Sequence, residues 1–235
     1  MELDYLIKLL EFNNFPRTNL DFSLPLVVHG VAGCGKSTII SKLAKAFPTL
    51  VVASFTPQIL DGNTGRKQVA VDGSPVDILD EYLSGPTPSV RLALFCDPLQ
   101  YSCEKPRLPH FISLTTHRFC PLTADFLNSK FGCEIISLRQ DSCEIVEADP
   151  FATDPEGVVI TFEPEVKSIL ERHQCFPTDI STLWGKNLET VSVYLSSFDT
   201  CLDSFRTDLF LSLTRHTKKL LVFDFNAWPD SSDEL

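Results

Sequence analysis

Apolar positions along the chain change their period repeatedly, and each change predicts an element. Leu3, Leu6, Ile7 and Leu10 recur at helical spacing, which predicts an N-terminal amphipathic helix packed on the core and ended by Phe15-Pro16-Arg17-Thr18. Leu26, Val27 and Val28 run without alternation, the pattern of a strand covered on both faces in a parallel sheet. Beyond a glycine-rich turn, Ile39, Ile40, Leu43, Ala44 and Phe47 return to helical spacing. The LVVAS run at residues 50–54 predicts a second buried strand. The loop at 56–66, with Pro57, Gly62, Asn63 and Gly65, then lies at its carboxyl end, where open α/β sheets carry ligand loops. Apolar runs at 76–79, 92–95 and 112–114 predict further strands. The rest of the chain keeps the alternation. It reads as a helix over 121–130 opened by Pro121, strands at 134–138, 158–162, 189–195 and 220–225, and helices over 164–173 and 201–213. Crossovers of these lengths predict an α/β fold on parallel sheets, with residues 230–235 frayed.

Charge divides this pattern in two. The 235 residues carry a net charge of −11, of which −1 belongs to residues 1–115 and −10 to residues 116–235. The acidic composition sets in just past the 112–114 run, which predicts a domain boundary near residue 113 and two small lobes, 1–113 and 114–235. Acidity of this degree counts against strong non-specific nucleic-acid binding, so any RNA contact is expected to be local. No apolar run approaches the ~18 residues of a membrane span. Residues 1–11 carry acids and no cleavable apolar core, so no signal peptide is expected and the cytosol is the expected compartment. The SDEL at 232–235 is then a coincidental likeness to an ER-retrieval signal. The eight cysteines, Cys34, Cys96, Cys103, Cys120, Cys133, Cys143, Cys175 and Cys201, show no C-x-x-C and no regular zinc spacing. They are expected to be reduced, mostly buried thiols, with no metal besides Mg²⁺.

Candidate chemistry begins between the first strand and its helix. Gly30, Gly35, Lys36 and Ser37 fit G-x-x-x-x-G-K-[ST] in GVAGCGKST. Such a loop lets successive backbone N–H groups curl around phosphate, and Gly33 adds another permissive position. The set expected around the nucleotide is Gly30, Gly33, Cys34, Gly35, Lys36, Ser37 and Thr38. Lys36, expected to face solvent, would reach the β- and γ-phosphates and Ser37 the Mg²⁺. The run at 76–79 ends in Asp80 and Glu81. A hydrolytic site needs two such carboxylates, one for the Mg²⁺ shell and one to orient or deprotonate water. Gln100, just past the 92–95 run, is placed to sense the γ-phosphate. A chance loop match, a solvated Asp-Glu helix start and a plain turn glutamine are the bland alternatives; the strand and helix flanking the loop weigh against them.

At LTRHTK, residues 213–218, the chain resembles motif VI of superfamily 1 helicases of positive-strand RNA viruses. The order of the chain agrees: GVAGCGKST resembles motif I, LDEY motif II, FCDPLQ motif III, TTHRF motif IV and TLWGKNLETVSVYL motif V. Length and leader are similar to the first movement protein of the plant-virus triple gene block, of the potexvirus and carlavirus type. This resemblance covers nearly the whole chain and implies a P-loop NTPase of two small RecA-like lobes using Mg²⁺ and ATP or another NTP. It implies Lys36 and Ser37 on phosphate and Mg²⁺, Asp80 on Mg²⁺, Glu81 as the base, Gln100 as sensor, and Arg118 and Arg215 as arginine fingers from the second lobe. Without it, Arg118 and Arg215 read as surface arginines paired with acids. The family further implies single-stranded RNA binding, duplex unwinding, contacts with coat protein, virions and the other triple gene block movement proteins, and homo-oligomers. It also implies suppression of host RNA silencing and action in the host cytoplasm and at plasmodesmata. Trp184 departs from the glutamine common before the motif V glycine, here Gly185, and offers a ring for base stacking. Two rivals stand beside this reading, a P-loop small-molecule kinase and a non-hydrolytic NTP-gated binding protein.

Overall fold

A computed structural model of the chain describes residues 1–55, 69–70, 72–101, 106–183 and 186–227. The loop expected at 56–66, Cys103, Trp184, Gly185 and the tail at 230–235 lie outside the described residues. The chain divides into two compact units, Met1–His117 and Arg118–Leu235.

In the first unit, helix α1 (Glu2–Phe12) is followed by β1 (Leu26–Gly30), α2 (Lys36–Ala46), β2 (Val52–Ser54), β3 (Val69–Ala70), β4 (Val76–Asp80), β5 (Val90–Cys96) and β6 (Phe111–Ser113). The strands form one parallel sheet in the order β3-β2-β4-β5-β1-β6. Unbroken apolar runs make this arrangement possible, because a parallel sheet with helical crossovers is covered on both faces. Leu26, Val28, Ile78, Leu79, Ala93, Leu94 and Phe95 are accordingly buried. The order has a consequence for chemistry. β5 lies between β4 and β1 and pairs with both, with Asp80 opposite Phe95 and His29 opposite Cys96, so the carboxyl ends of all three strands lie at one level. α1 packs on α2, where Tyr5 meets Phe47 edge to face at 5.6 Å between ring centroids.

Two-residue extended segments, β7 (Thr115–Thr116) and β8 (Ile136–Ser137), flank α3 (Pro121–Phe131). The second unit continues with β9 (Glu144–Ala148), β10 (Val158–Ile160), α4 (Pro164–Arg172), β11 (Leu188–Leu195), α5 (Phe198–Ser204), α6 (Arg206–Leu213) and β12 (His216–Asp224). Its sheet is also parallel, in the order β10-β11-β12-β9. Ala148, Val166, Leu170, Tyr194, Leu221 and Phe223 form one core cluster, with Tyr194 and Phe223 stacked at 4.2 Å.

Besides the two-residue β3, three features differ from the sequence expectations. β9 has no counterpart there, because its EIVEA has only two central apolar residues between acids and it pairs with β12 alone, as an edge strand. The helix expected over 201–213 is two helices broken at Phe205, whose backbone turns to φ −132°, ψ 30° while its ring packs on Phe162 at 5.6 Å. The cysteines are not all thiols: Cys120, at the N-cap of α3, is paired with Cys143, 23 positions later, across a Cα separation of 6.2 Å. Tertiary approach makes that pair, so the sequence carries no spacing signal for it. Among the described residues no helix is long and apolar enough to cross a membrane.

Candidate nucleotide site

β1 delivers the chain to the loop at Gly30. A side chain there would collide with the Cys34 sulfur and, at 2.9 Å, with the Phe15 ring, so only glycine lets the loop close on itself. Gly33 and Gly35 adopt φ of 83° and 99°, a left-handed conformation that costs glycine little. Gly35 is the N-cap of α2 and supplies no side-chain cap. The first-turn N–H groups of α2 are thus left for an anion, the physical basis of phosphate binding at a helix start. Ser37 and Thr38 on that turn are exposed.

Lys36 departs from expectation. It is buried, at 7% exposure, and its Nζ donates to the Gly30 carbonyl at 2.7 Å. Burial alone would lower its pKa, but Cys34, Glu81, Asp97 and Asp80 together outweigh that and raise it, so the ammonium stays charged. Across from it, Asp80 ends β4 and is buried. Burial, and then the neighbouring Glu81, push the Asp80 carboxyl up to about 7, against the pull of Lys36. Glu81 is raised as well, by burial first, with Asp97 adding to the effect. Its backbone is left-handed, φ 54° and ψ 46°, and its N–H donates to Asp80 Oδ1 at 3.1 Å. Glu81 Oε2 is buried without a well-formed hydrogen bond, although Tyr101 lies close enough to hold the Glu81 pKa down. Gln100 is buried on the turn Pro98–Gln100, where its Nε2 donates to Asp97 Oδ2 at 2.6 Å.

The first unit therefore brings Gly30, Lys36, Asp80, Glu81 and Gln100 to one edge of the sheet. Sequence reading missed Asp97, which is fully buried, accepts from Leu99 N at 3.1 Å and orients Gln100. An Asp-Pro pair just past an apolar run was the available signal for such a cap. Tyr82 and His29, joined at 2.9 Å, were missed too. The donor set fits Mg²⁺. That ion keeps most of its water and takes one or two protein oxygens beside phosphate, and Asp80 and Ser37 offer that much. A dication would also answer the two buried carboxylates whose charged forms burial disfavours. Among the described residues no group of three or more His, Cys, Asp or Glu could hold a metal.

In the second unit Arg118 is half-buried, and its carbonyl accepts from Arg139 Nη1 at 2.6 Å. Arg215 is buried at 1% exposure, so the surface-arginine alternative does not hold for it. Its Nε donates to Leu211 O at 3.1 Å, Nη1 to Leu183 O at 3.5 Å and Nη2 to Thr214 Oγ1 at 3.2 Å. Its own carbonyl accepts from Leu188 N at 2.8 Å, which ties the start of β12 to the start of β11. His216 follows, buried, with Nε2 2.9 Å from Thr123 Oγ1 and its pKa pushed down to about 4 chiefly by burial.

The chain is similar to proteins already known. The viral superfamily 1 RNA helicase core domain matches residues 26–224. The movement and silencing protein TGBp1 of Narcissus mosaic virus is 54% identical over 228 residues, 97% of this chain and 98% of the relative. That of strawberry mild yellow edge-associated virus is 33% identical over 96% of this chain and 97% of the relative. Among solved structures, an arterivirus nonstructural protein 10 helicase in complex with DNA superposes over 95% of this chain with a TM-score of 0.50 at 17% identity. The chain spans 57% of that helicase's length, and the likeness is one of fold: an α/β P-loop NTPase with parallel sheets.

Proposed function

Because the chain belongs to the viral superfamily 1 RNA helicase core family, and within it to the TGBp1 movement and silencing proteins, we propose that it hydrolyses NTP with Mg²⁺ in response to single-stranded RNA. The observation that carries this reading is the convergence of Lys36, Asp80, Glu81 and Gln100 at the carboxyl edge of β1, β4 and β5. In this reading the loop amides and Lys36 hold the phosphates, Ser37 and Asp80 hold the cation, and Glu81 takes the proton of the attacking water. Gln100, oriented by Asp97, contacts the γ-phosphate. The cation, when bound, neutralises charge between the phosphates. The two units act as the two RecA-like lobes, and Arg118 and Arg215 stabilise charge on the transferring phosphoryl. For Arg215 this requires turning an N–H from a carbonyl to phosphate.

In the host cytoplasm this turnover serves cell-to-cell passage of viral RNA through plasmodesmata. Coat protein, virions, the other triple gene block movement proteins, the host silencing machinery and further copies of this chain are the proposed partners. A small-molecule kinase is not favoured, since the helicase core match runs through both units. Hydrolysis of radiolabelled ATP by the purified chain, alone, with single-stranded RNA and with a nucleoside monophosphate, separates the readings. RNA-stimulated release of inorganic phosphate is expected. Transfer to the monophosphate would mean a kinase, and binding without turnover a non-hydrolytic switch.

A further inference from the structure

We propose that Tyr82, through its hydrogen bond to His29, is a positioning residue for Glu81; this rests on the NTPase reading and extends it to a buried phenol outside the nucleotide-binding set. β1 and β4 are not neighbours, because β5 lies between them. No ladder hydrogen bond can therefore couple the strand that carries the phosphate loop to the strand that carries the two carboxylates. A side chain does so instead. Tyr82, the first residue of the turn Tyr82–Ser84, is buried, and its hydroxyl lies 2.9 Å from Nε2 of His29, two strands away. The rings are nearly parallel, at 17° and 6.0 Å between centroids. The same oxygen accepts the backbone N–H of Arg107 at 3.2 Å and has the Cys96 thiol within reach; with His29 Nε2 as the acceptor, the phenolic proton goes to the imidazole. That arrangement needs a neutral imidazole, and burial, followed by the Lys36 charge, holds His29 down at about 4.

Each end of this tether adjoins a working group. His29 precedes Gly30, whose carbonyl holds Lys36. Tyr82 follows Glu81, whose left-handed backbone is rare for a residue with a side chain and persists only where its surroundings over-determine it. Glu81 is secured on one side by Asp80 Oδ1 and through its own carbonyl by Ser84 N at 3.0 Å. Beside the attraction between Lys36 and the two carboxylates, the Tyr82 hydroxyl gives this turn a directional contact with the strand that leads into the phosphate loop. Loosening it should move the Glu81 carboxylate relative to bound phosphate while leaving the loop that grips the nucleotide in place.

The test uses the full chain as Tyr82→Phe, His29→Leu and the double variant. Steady-state ATP hydrolysis is measured beside binding of a non-hydrolysable ATP analogue, with Glu81→Gln as the dead control. Tyr82→Phe should lower kcat by about 10- to 100-fold, the scale of a small misplacement of a reacting group, with KM and analogue affinity within about twofold. The double variant should be no worse than either single one, since all three break the same bond. If Tyr82→Phe alone fails to fold, the apolar pair Tyr82→Phe with His29→Leu makes the same comparison with wild type. Wild-type kcat in Tyr82→Phe or in the pair, against an active wild type and a dead Glu81→Gln, overturns the positioning role. So does a loss confined to affinity, or additive losses in the double variant. A wild type that binds the analogue and never hydrolyses ATP overturns the NTPase reading itself, and the positioning role with it.

Discussion

Lys36 in the first unit and Arg215 in the second are both buried cations of the helicase motifs, but their surroundings differ in kind. Lys36 touches one carbonyl and is held charged by Asp80, Glu81, Asp97 and Cys34. Arg215 donates to the carbonyls of Leu211 and Leu183 and to the Thr214 hydroxyl, the first of these at the carboxyl end of α6, where the helix dipole favours a cation. Two of the groups that balance Lys36, Asp80 and Glu81, are groups proposed for the chemistry. The groups around Arg215 are mostly backbone, so the same side chain holds β12, α6 and the segment before β11 together. Removing Lys36 should therefore be a chemical injury, and removing Arg215 a chemical and structural one.

The largest expected effect tests the first half of that contrast. Lys36→Ala should cost about 10³-fold or more in turnover, on the scale of a lost transition-state donor, with the fold retained because Asp80 can take up a proton in place of its lost partner. Glu81→Gln should lose hydrolysis and keep Mg²⁺-nucleotide binding, whereas Asp80→Asn should weaken that binding, since an amide is a poor ligand for a hard cation. Kinetics beside fluorescent-nucleotide titration check all three; normal turnover in Lys36→Ala would remove this loop as the site.

Arg215→Ala sharpens the second half. A drop of about 10³-fold in kcat, with nucleotide affinity little changed and RNA stimulation lost, is expected of a finger. Burial adds a loss of stability of about 1–3 kcal/mol, because the Leu211 and Leu183 carbonyls lose a donor. Arg215→Lys should rescue neither, as one ammonium cannot reproduce the planar fork. Urea unfolding together with kinetics reads both effects. A stability change confined to the range of a surface pair, with normal kcat, would break the contrast.

The smallest expected effect is in pH. His29 and His216 are lowered from 6.5 to about 4. Each contributes stability that is fully present above pH 6.5 and is lost as pH falls toward 4. Asp80, raised from 3.8 to about 7, contributes stability that is full below 3.8 and is lost as pH rises through 7. Glu81 acts in the same sense as Asp80, so two raised acids oppose His29 in the first unit. In the second, Asp208, raised by burial, offsets only part of the His216 effect. Hydrogen exchange, corrected for intrinsic rates, should show β12 losing protection between pH 6.5 and 4.5 more steeply than β1. Equal slopes would mean that the Asp80 pair is not raised.

Much of the site was legible because its signals are local. Gly33 and Gly35 stand where φ must be positive, a run of β-branched residues precedes them, and an amphipathic period follows. Asp80 and Glu81 were legible as the end of such a run. Less visible was the Asp97 cap, and β9 was missed because five residues with acids at two positions carry too little period to register. The helix break at Phe205 was invisible because no glycine or proline marks it; the Phe162 ring holds that residue out of the helix.

The sequence by itself determined the class of fold, the phosphate loop, the order of the helicase motifs and the uneven charge, because each depends on neighbours within a few turns of chain or on composition. Tertiary structure decided the rest. Strand order set β5 between β1 and β4 and so created the need for Tyr82 to reach His29. Packing buried Lys36 beneath its loop and Arg215 among carbonyls, and it brought Cys120 to Cys143. Burial and contact arise between residues tens of positions apart, and the hydrophobic period that specifies each strand says which face is covered without saying which strand lies beside it.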